Sequence, residues 1–445
     1  MLRKAINFLK HLWAAEDLRN RILITAFLLV IYRIAAHIPV PGVDPAALRA
    51  LFKNQNSTVL GFLDLLSGGT LANFSVLAMG PYPYITAQII LQLLSPVLPG
   101  MADRQKEDPQ GYQRWMERWT YYVAVPMAAL QSLSQIGLYK VIGNVTVFPN
   151  FGWNLPSFAV VVTMTAGTMF AIWLGELISE YGLKNQGLSL IIFAGIVSRI
   201  PTNFASMFAD EVHRWQSLGV YVLVIVAVVF LIIIVQQGRR NIPVMYPGRR
   251  IGFRQAMPVR ANLPLMVNMA GMIPLIFAGT FISMPAVVGG WVTQVIPNPA
   301  NVLHSVALNM VQFMNSNNSG YWVVYFLLVV VFTFFYTDVQ FTQANFAENL
   351  RRSGAQIPGV TAGDATQKYL TKVMRRITLP GALFLGFVAV LPFLVRMIIN
   401  YGSSSSMLLI TSSGLLIVVG VVRELYFNLE AELKLRGYDE SLLVK

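Results

Sequence analysis

The chain has 445 residues, of which 55% are hydrophobic and only 12% charged, with a mean hydropathy of +0.58. That composition excludes a water-soluble globular fold and describes a polytopic α-helical membrane protein. There is no cysteine, which excludes disulfides and Cys-based metal sites, and the formal net charge is +13.

At the N-terminus, Leu2, Ile6, Leu9, Leu12 and Trp13 recur at helical spacing beside Lys4, Lys10 and Arg19. This predicts a basic amphipathic helix on the membrane surface over about residues 1–20, not a cleavable signal peptide. Ile22–Ile38 is the first span. Next comes an apolar stretch too short to cross: Val59, Leu60, Phe62, Leu63, Asp64, Leu65 and Leu66, broken by Ser67-Gly68-Gly69. A bilayer core of about 30 Å needs about 20 apolar residues, so the segment dips in and returns, or lies outside as an amphipathic helix. Irregular backbone at membrane depth survives only when buried in protein or lining a water-filled cavity. A half-helix over about residues 57–72 therefore points to a conduit.

Further spans are expected at Phe74–Leu94, Tyr121–Ile142, Phe158–Leu177, Leu188–Ile200, Leu218–Val235, Met266–Val288, Tyr321–Tyr336, Leu379–Ile399 and Met407–Phe427, about ten in all. The basic residues test this reading. One alternating set of loops holds 26 of the 33 Lys and Arg and the other holds 6, with Arg33 inside the first span. Such a split is what the positive-inside rule requires, with both termini cytoplasmic. Ten spans divide into halves at about 21–205 and 206–428, followed by a cytoplasmic tail at 429–445. Five spans per half makes the halves inverted, and inverted halves usually place the pathway at their interface.

Two loops carry most of the charge. Residues 236–265 hold Arg239, Arg240, Arg249, Arg250, Arg254 and Arg260 without an acid. Residues 338–376 hold Arg351, Arg352, Lys368, Lys372, Arg375 and Arg376. Charges at span ends set orientation and meet lipid headgroups. Long loops with Pro, Gly and aromatic punctuation suit docking of an acidic protein or an RNA backbone.

Catalytic chemistry is missing. His11, His37, His213 and His304 are scattered, and no nucleophile, phosphate-loop, metal or cofactor motif occurs. Span interiors almost lack ionisable groups, which argues against a coupled solute transporter and an intramembrane enzyme. Glu176, Arg396, Arg423 and Glu424 lie near span ends, where snorkelling is the default. Pro81, Pro83 and Pro274 are placed to loosen helices. Ile85, Ile192, Ile276 and Ile417 fall in four different spans, where ordinary packing is the default for each.

Eight stretches are recognisable in order along the chain: Ile38–Asp44 (IPVPGVD), the FLDLLSGG segment, Pro83–Leu94 (PYITAQIILQLL), Gly167–Gly182 (GTMFAIWLGELISEYG), Ile191–Val197 (IIFAGIV), Leu263–Ala278 (LPLMVNMAGMIPLIFA), Glu348–Gly359 (ENLRRSGAQIPG) and Lys368–Ala382 (KYLTKVMRRITLPGA). On these the chain resembles the bacterial SecY family of translocon channel subunits. The resemblance implies two inverted five-helix halves around a central pore in a bacterial plasma membrane. The half-helix, Val59 to Gly69, becomes a plug. Ile85, Leu188, Ile192, Ile276 and Ile417 become an aliphatic pore ring, in which Pro81 replaces a usually aliphatic residue. Thr86, Gln131 and Asn268 become polar residues of a lateral gate, expected to hydrogen-bond across it. Arg249, Arg250, Arg254, Arg351 and Arg352 become docking residues for a SecA-type ATPase or a ribosome. SecE-like and SecG-like subunits, signal peptides, unfolded polypeptides and lipid are the other implied partners, and no cofactor is implied. The chain departs from the family at Gly252-Phe253-Arg254 and at Thr361-Ala362-Gly363, and Gln186 resembles an insertion.

Overall fold

A computed structural model describes residues 13–42, 74–94, 108–143, 154–184, 186–209, 214–246, 250–251, 254–255, 259–296, 301–313, 319–344, 346–361, 363–398 and 411–435. The N-terminal amphipathic stretch before Trp13, the plug segment and Arg249 lie outside the described residues. Helices dominate: α1 Glu16–Ala35, α2 Tyr82–Leu94, α3 Pro109–Gly143, α4 Leu155–Tyr181, α5 Gly187–Ala209 and α6 Arg214–Gln237. After four strands follow α7 Ile273–Val295, α8 Val302–Phe313, α9 Ser319–Ala344, α10 Phe346–Arg352, α11 Asp364–Ile398 and α12 Thr411–Leu435.

Each expected span overlaps one of α1–α7, α9, α11 and α12. Among the described residues, three stretches are by length and composition long and apolar enough to cross a membrane: Leu155–Tyr181, Ser319–Arg352 and Asp364–Leu391. Large apolar side chains on the outside of the bundle have no protein partner to hide behind. Leu23, Phe27, Val30 and Ile34 of α1 form one such stripe at helical spacing, and Leu223, Val226 and Phe230 of α6 another. In water these stripes would be costly; against lipid tails they are solvated.

The helices close on themselves. α3 packs on α7, α7 on α9, α9 on α11, α11 on α12, α12 on α5, α5 on α4, and α4 back on α3. α1 packs on α4, and α2 on α3. The main apolar core draws residues from α1 to α9, α11 and α12.

The structure corrects several expectations. The span expected at Phe74–Leu94 is helical only from Tyr82. Its first residues form turns, with Gly80 at φ 50°, Phe74 at φ 42°, and Ser75 bridged to Pro39. Pro81 and Pro83 cause this, because proline lacks the N–H that helix interiors need yet suits a first turn. Pro274 likewise stands at the start of α7 and opens that helix rather than loosening it. Residues 266–272, expected within the seventh span, finish a strand and turn instead. The short fifth span is a 23-residue helix. An apolar helix of 12 residues, α8, was not expected.

The first basic loop is folded. β1 Arg239–Tyr246 pairs antiparallel with β4 Val259–Met266, with Arg239 opposite Met266 and Tyr246 opposite Val259. β2 Arg250–Ile251 and β3 Arg254–Gln255 extend the hairpin tip. The second basic loop joins it: Met245 N–H donates to Gln356 O at 2.8 Å and Gln356 N–H to Met245 O at 2.9 Å. Ile242, Val244, Leu265, Phe341, Leu350, Ile357, Leu370 and Met374 share a second core beneath. Two loops distant in sequence thus make one body.

Candidate functional site

The resemblance singled out aliphatic residues, and four of them belong to the main core or pack against it. Ile192 on α5, Ile276 on α7 and Ile417 on α12 are buried in the main core, and Ile85 on α2 packs against it. Pro81, just before α2, is buried too. Leu188 sits apart. It packs with Tyr84, Ala87, Ala124 and Ile172 in a neighbouring cluster, under the close crossing of α4 and α5. That crossing depends on glycine: a Cβ on Gly187 would lie 1.7 Å from Gly175 O, and a Cβ on Gly175 would lie 2.8 Å from Leu188 Cδ2. The four isoleucines, on four different helices, share the main core. An aliphatic waist in a pore dewets and holds back ions.

A polar seam joins α2 to α3 and α2 to α7. Gln131 Nε2 on α3 donates to Thr86 Oγ1 on α2 at 3.3 Å, while Thr86 donates to Tyr82 O at 2.9 Å. Asn268 does not join them. Its Nδ2 donates to Gly271 O at 3.1 Å and its Oδ1 accepts from Gly271 N–H at 3.0 Å. It closes the turn that launches α7, where Gly271 adopts φ 64°. The expected three-residue contact is therefore one pair on α2 and α3 plus a separate turn lock. The bond that joins α2 to α7 is a different one: Tyr82 Oη lies 3.2 Å from Ser283 Oγ, both buried. Reading the sequence missed it, although a tyrosine at an apolar helix start signals a hydroxyl in need of a partner. Gln131 Oε1 and Gln135 Oε1, one turn apart on α3, are buried without a hydrogen-bond partner.

On the basic body, Arg351 and Arg352 are well exposed, and both hold Glu348, at 2.9 and 3.1 Å. Their hydrogen bonds hold the Glu348 carboxyl below the usual carboxylate range. Arg250 and Arg254 lie on β2 and β3, with Arg254 paired to Ile251 in the ladder. Arg375 donates to Asp338 at 3.1 Å, tying α11 to α9 beneath the body. Among the described residues no cluster of His, Cys, Asp or Glu could hold a metal ion.

A closed circuit of apolar helices around a large apolar core, with a basic body built from two loops, is the architecture of a polytopic helical membrane protein. Comparison specifies which kind. The SecY family model matches residues 75–426. The chain is 36% identical over 437 residues to the protein translocase subunit SecY of Escherichia coli K12, covering 96% of this chain and 94% of that one. It is 34% identical over 435 residues to that of Haemophilus influenzae, with the same coverage. Among solved structures, one described as a protein conducting channel aligns with a TM-score of 0.63 at 18% identity, over 93% of this chain and 92% of that one. Sec61 in the canine ribosome–channel complex aligns at 0.60 and 17% identity, over 93% and 92% of the chains. The chain belongs to the SecY family and is a protein-conducting channel subunit of the translocon.

Proposed function

We propose that the chain is the central pore of a bacterial plasma-membrane translocon, with both termini cytoplasmic. It passes unfolded preproteins through the waist and releases hydrophobic segments sideways into the bilayer. The observation that supports this reading is that Ile192, Ile276 and Ile417 are buried in the main core and Ile85 packs against it, each from a different helix. The inverted halves, about 21–205 and 206–428, meet at this point. Val59 to Gly69 supplies a plug that backs the waist. Separation of α2 and α3 from α7 and α9 opens the lateral exit, and the Tyr82–Ser283 bond latches it. The pore is passive and performs no catalysis. Its energy comes from a SecA-type ATPase or a ribosome seated on Arg249, Arg250, Arg254, Arg351 and Arg352. SecE-like and SecG-like subunits brace the helices.

Deletion of Val59–Leu66 tests the reading. In proteoliposomes a plugged channel leaks ions when the segment is removed and still inserts its substrates. A variant that folds, stays ion-tight and loses transport would contradict a plug.

A further inference from the structure

We infer that α8 is a membrane-interface helix: it lies in the plane of the bilayer surface with one face in lipid, on the side opposite the basic body, and straps α7 to α3. The side follows from the chain path. α7 leaves the basic body after β4, α8 follows at its far end, and α9 returns to the body.

The helix divides into three sectors around its axis. Ala307 and Val311, four residues apart, are buried. This sector seats on α7, where a Cβ on Gly289 would lie 2.8 Å from Ala307 O and 2.9 Å from Val311 Cγ2, and the helix also reaches α3. Ser305, Asn309 and Gln312 form a second, exposed polar sector. The third is Val302, Leu303, Val306, Met310 and Phe313, all exposed, from 43% to 74%. At 3.6 residues per turn these five fall within an arc of roughly 100°. One helix therefore shows a protein face, a water face and an apolar face with nothing against it. That is the anatomy of a helix at a membrane interface.

Lipid is the occupant for three reasons. The helices before and after it carry the same kind of uncovered apolar side chains, Phe281 and Val288 on α7 and Val323, Leu327 and Val331 on α9. At 12 residues, roughly 18 Å, the helix is too short to cross. No Asp, Glu, Lys or Arg occurs between Arg260 and Asp338, so charge neither repels the helix from hydrocarbon nor directs it to an acidic partner. His304, the only titratable side chain on the helix, places Nδ1 2.7 Å from Ile296 O and so faces the chain's own backbone. Seating by apolar area alone makes binding indifferent to anionic lipid content and to salt.

The absence of cysteine makes the test direct. Val306→Cys, Met310→Cys, Ser305→Cys and Asn309→Cys variants of the full chain, purified with its companion subunits, carry an environment-sensitive fluorophore. They are placed in phosphatidylethanolamine–phosphatidylglycerol vesicles with lipid-attached nitroxide quenchers. The expected result is blue-shifted emission and loss of most intensity at 306 and 310, with aqueous iodide quenching only 305 and 309. The 306 and 310 signals stay the same when phosphatidylglycerol is replaced by phosphatidylcholine. Iodide quenching at all four sites would overturn the inference, as would protection of 306 and 310 from both quenchers, which would mean a protein covers the face. None of these outcomes depends on where the pore or gate lies.

Discussion

Tyr82 Oη and Ser283 Oγ stand 3.2 Å apart and form a buried hydrogen bond between α2 and α7. It is the described side-chain bond that couples these two walls of the seam. Ser283 also donates to Thr280 O at 2.9 Å, so the pair is fixed in place from the α7 side.

Tyr82→Phe and Ser283→Ala should each weaken closure by about 0.6–1.7 kcal/mol, the range for single bonds between membrane helices. Because they remove the same bond, the double variant should be no worse than the more severe single one. Export of a reporter with a weakened signal sequence checks this: both single variants should raise it. Additive effects in the double variant would show that the two hydroxyls act separately.

The crossing of α4 and α5 should tolerate no side chain at Gly187, where a Cβ would meet the Gly175 carbonyl at 1.7 Å. Gly187→Ala should destabilise by about 1–3 kcal/mol or more, since backbone must move. Gly175→Ala should cost less, because its clash is with the flexible end of Leu188. Gly219→Ala, with nothing within 4 Å, is the neutral control. Thermal midpoints in detergent should fall in the order Gly219, Gly175, Gly187 from highest to lowest.

Hydropathy located the helices but not their ends or the loops. The segment Phe74–Pro81 is as apolar as α2, so a window cannot tell turn from helix; Gly80, Pro81 and Pro83 carry that information. The hairpin was hidden by its own prolines. Pro243 and Pro264 lie inside β1 and β4, opposite Asn262 and Asn241, and proline in a run argues against a strand. A two-stranded ribbon has only edges, so it can hold them, and the alternation that buries Ile242 and Val244 was present all along. α8 escaped notice because it is too short for a span and has no basic flank. The four isoleucines were singled out by resemblance, whereas their sharing one core depends on how α2, α5, α7 and α12 pack. The Asn268 turn lock was not legible, since an amide looks the same whether it closes a turn or crosses a gate.

The two basic loops should behave as one body. Gln356→Pro removes the N–H that binds Met245 O at 2.9 Å and should release the second loop while leaving β1 and β4 paired. Hydrogen exchange should quicken around Met245 and residues 353–361, with the strand ladder still protected. Unchanged exchange around Met245 would mean that the apolar contacts beneath suffice.

Glu348 orients Arg351 and Arg352, and its carboxyl is held below the usual range by their hydrogen bonds. A depressed carboxylate stabilises its pairing at neutral pH and loses that contribution only as pH falls through the lowered pKa. Order in α10 should therefore be flat across neutral pH and decline only in acid. Arg351→Ala with Arg352→Ala should weaken binding of an anionic partner such as the ribosome, most visibly at low salt. Glu348→Gln should not weaken it, because it removes a competing negative charge. Binding series over salt concentration for both variants decide this.

In the proposed channel a polypeptide passes between Ile192, Ile276, Ile417 and Ile85. Because the chain has no cysteine, Ile192→Cys introduces a single thiol at the waist. A secretory protein with one cysteine is stalled in transit, and the complex is oxidised. A disulfide between the two is expected when the stalled cysteine reaches the waist, and none from a cysteine placed at lipid-facing Phe230. No disulfide at Ile192, with the stalled chain shown to be engaged, would mean that Ile192 only packs a core and that the path lies elsewhere.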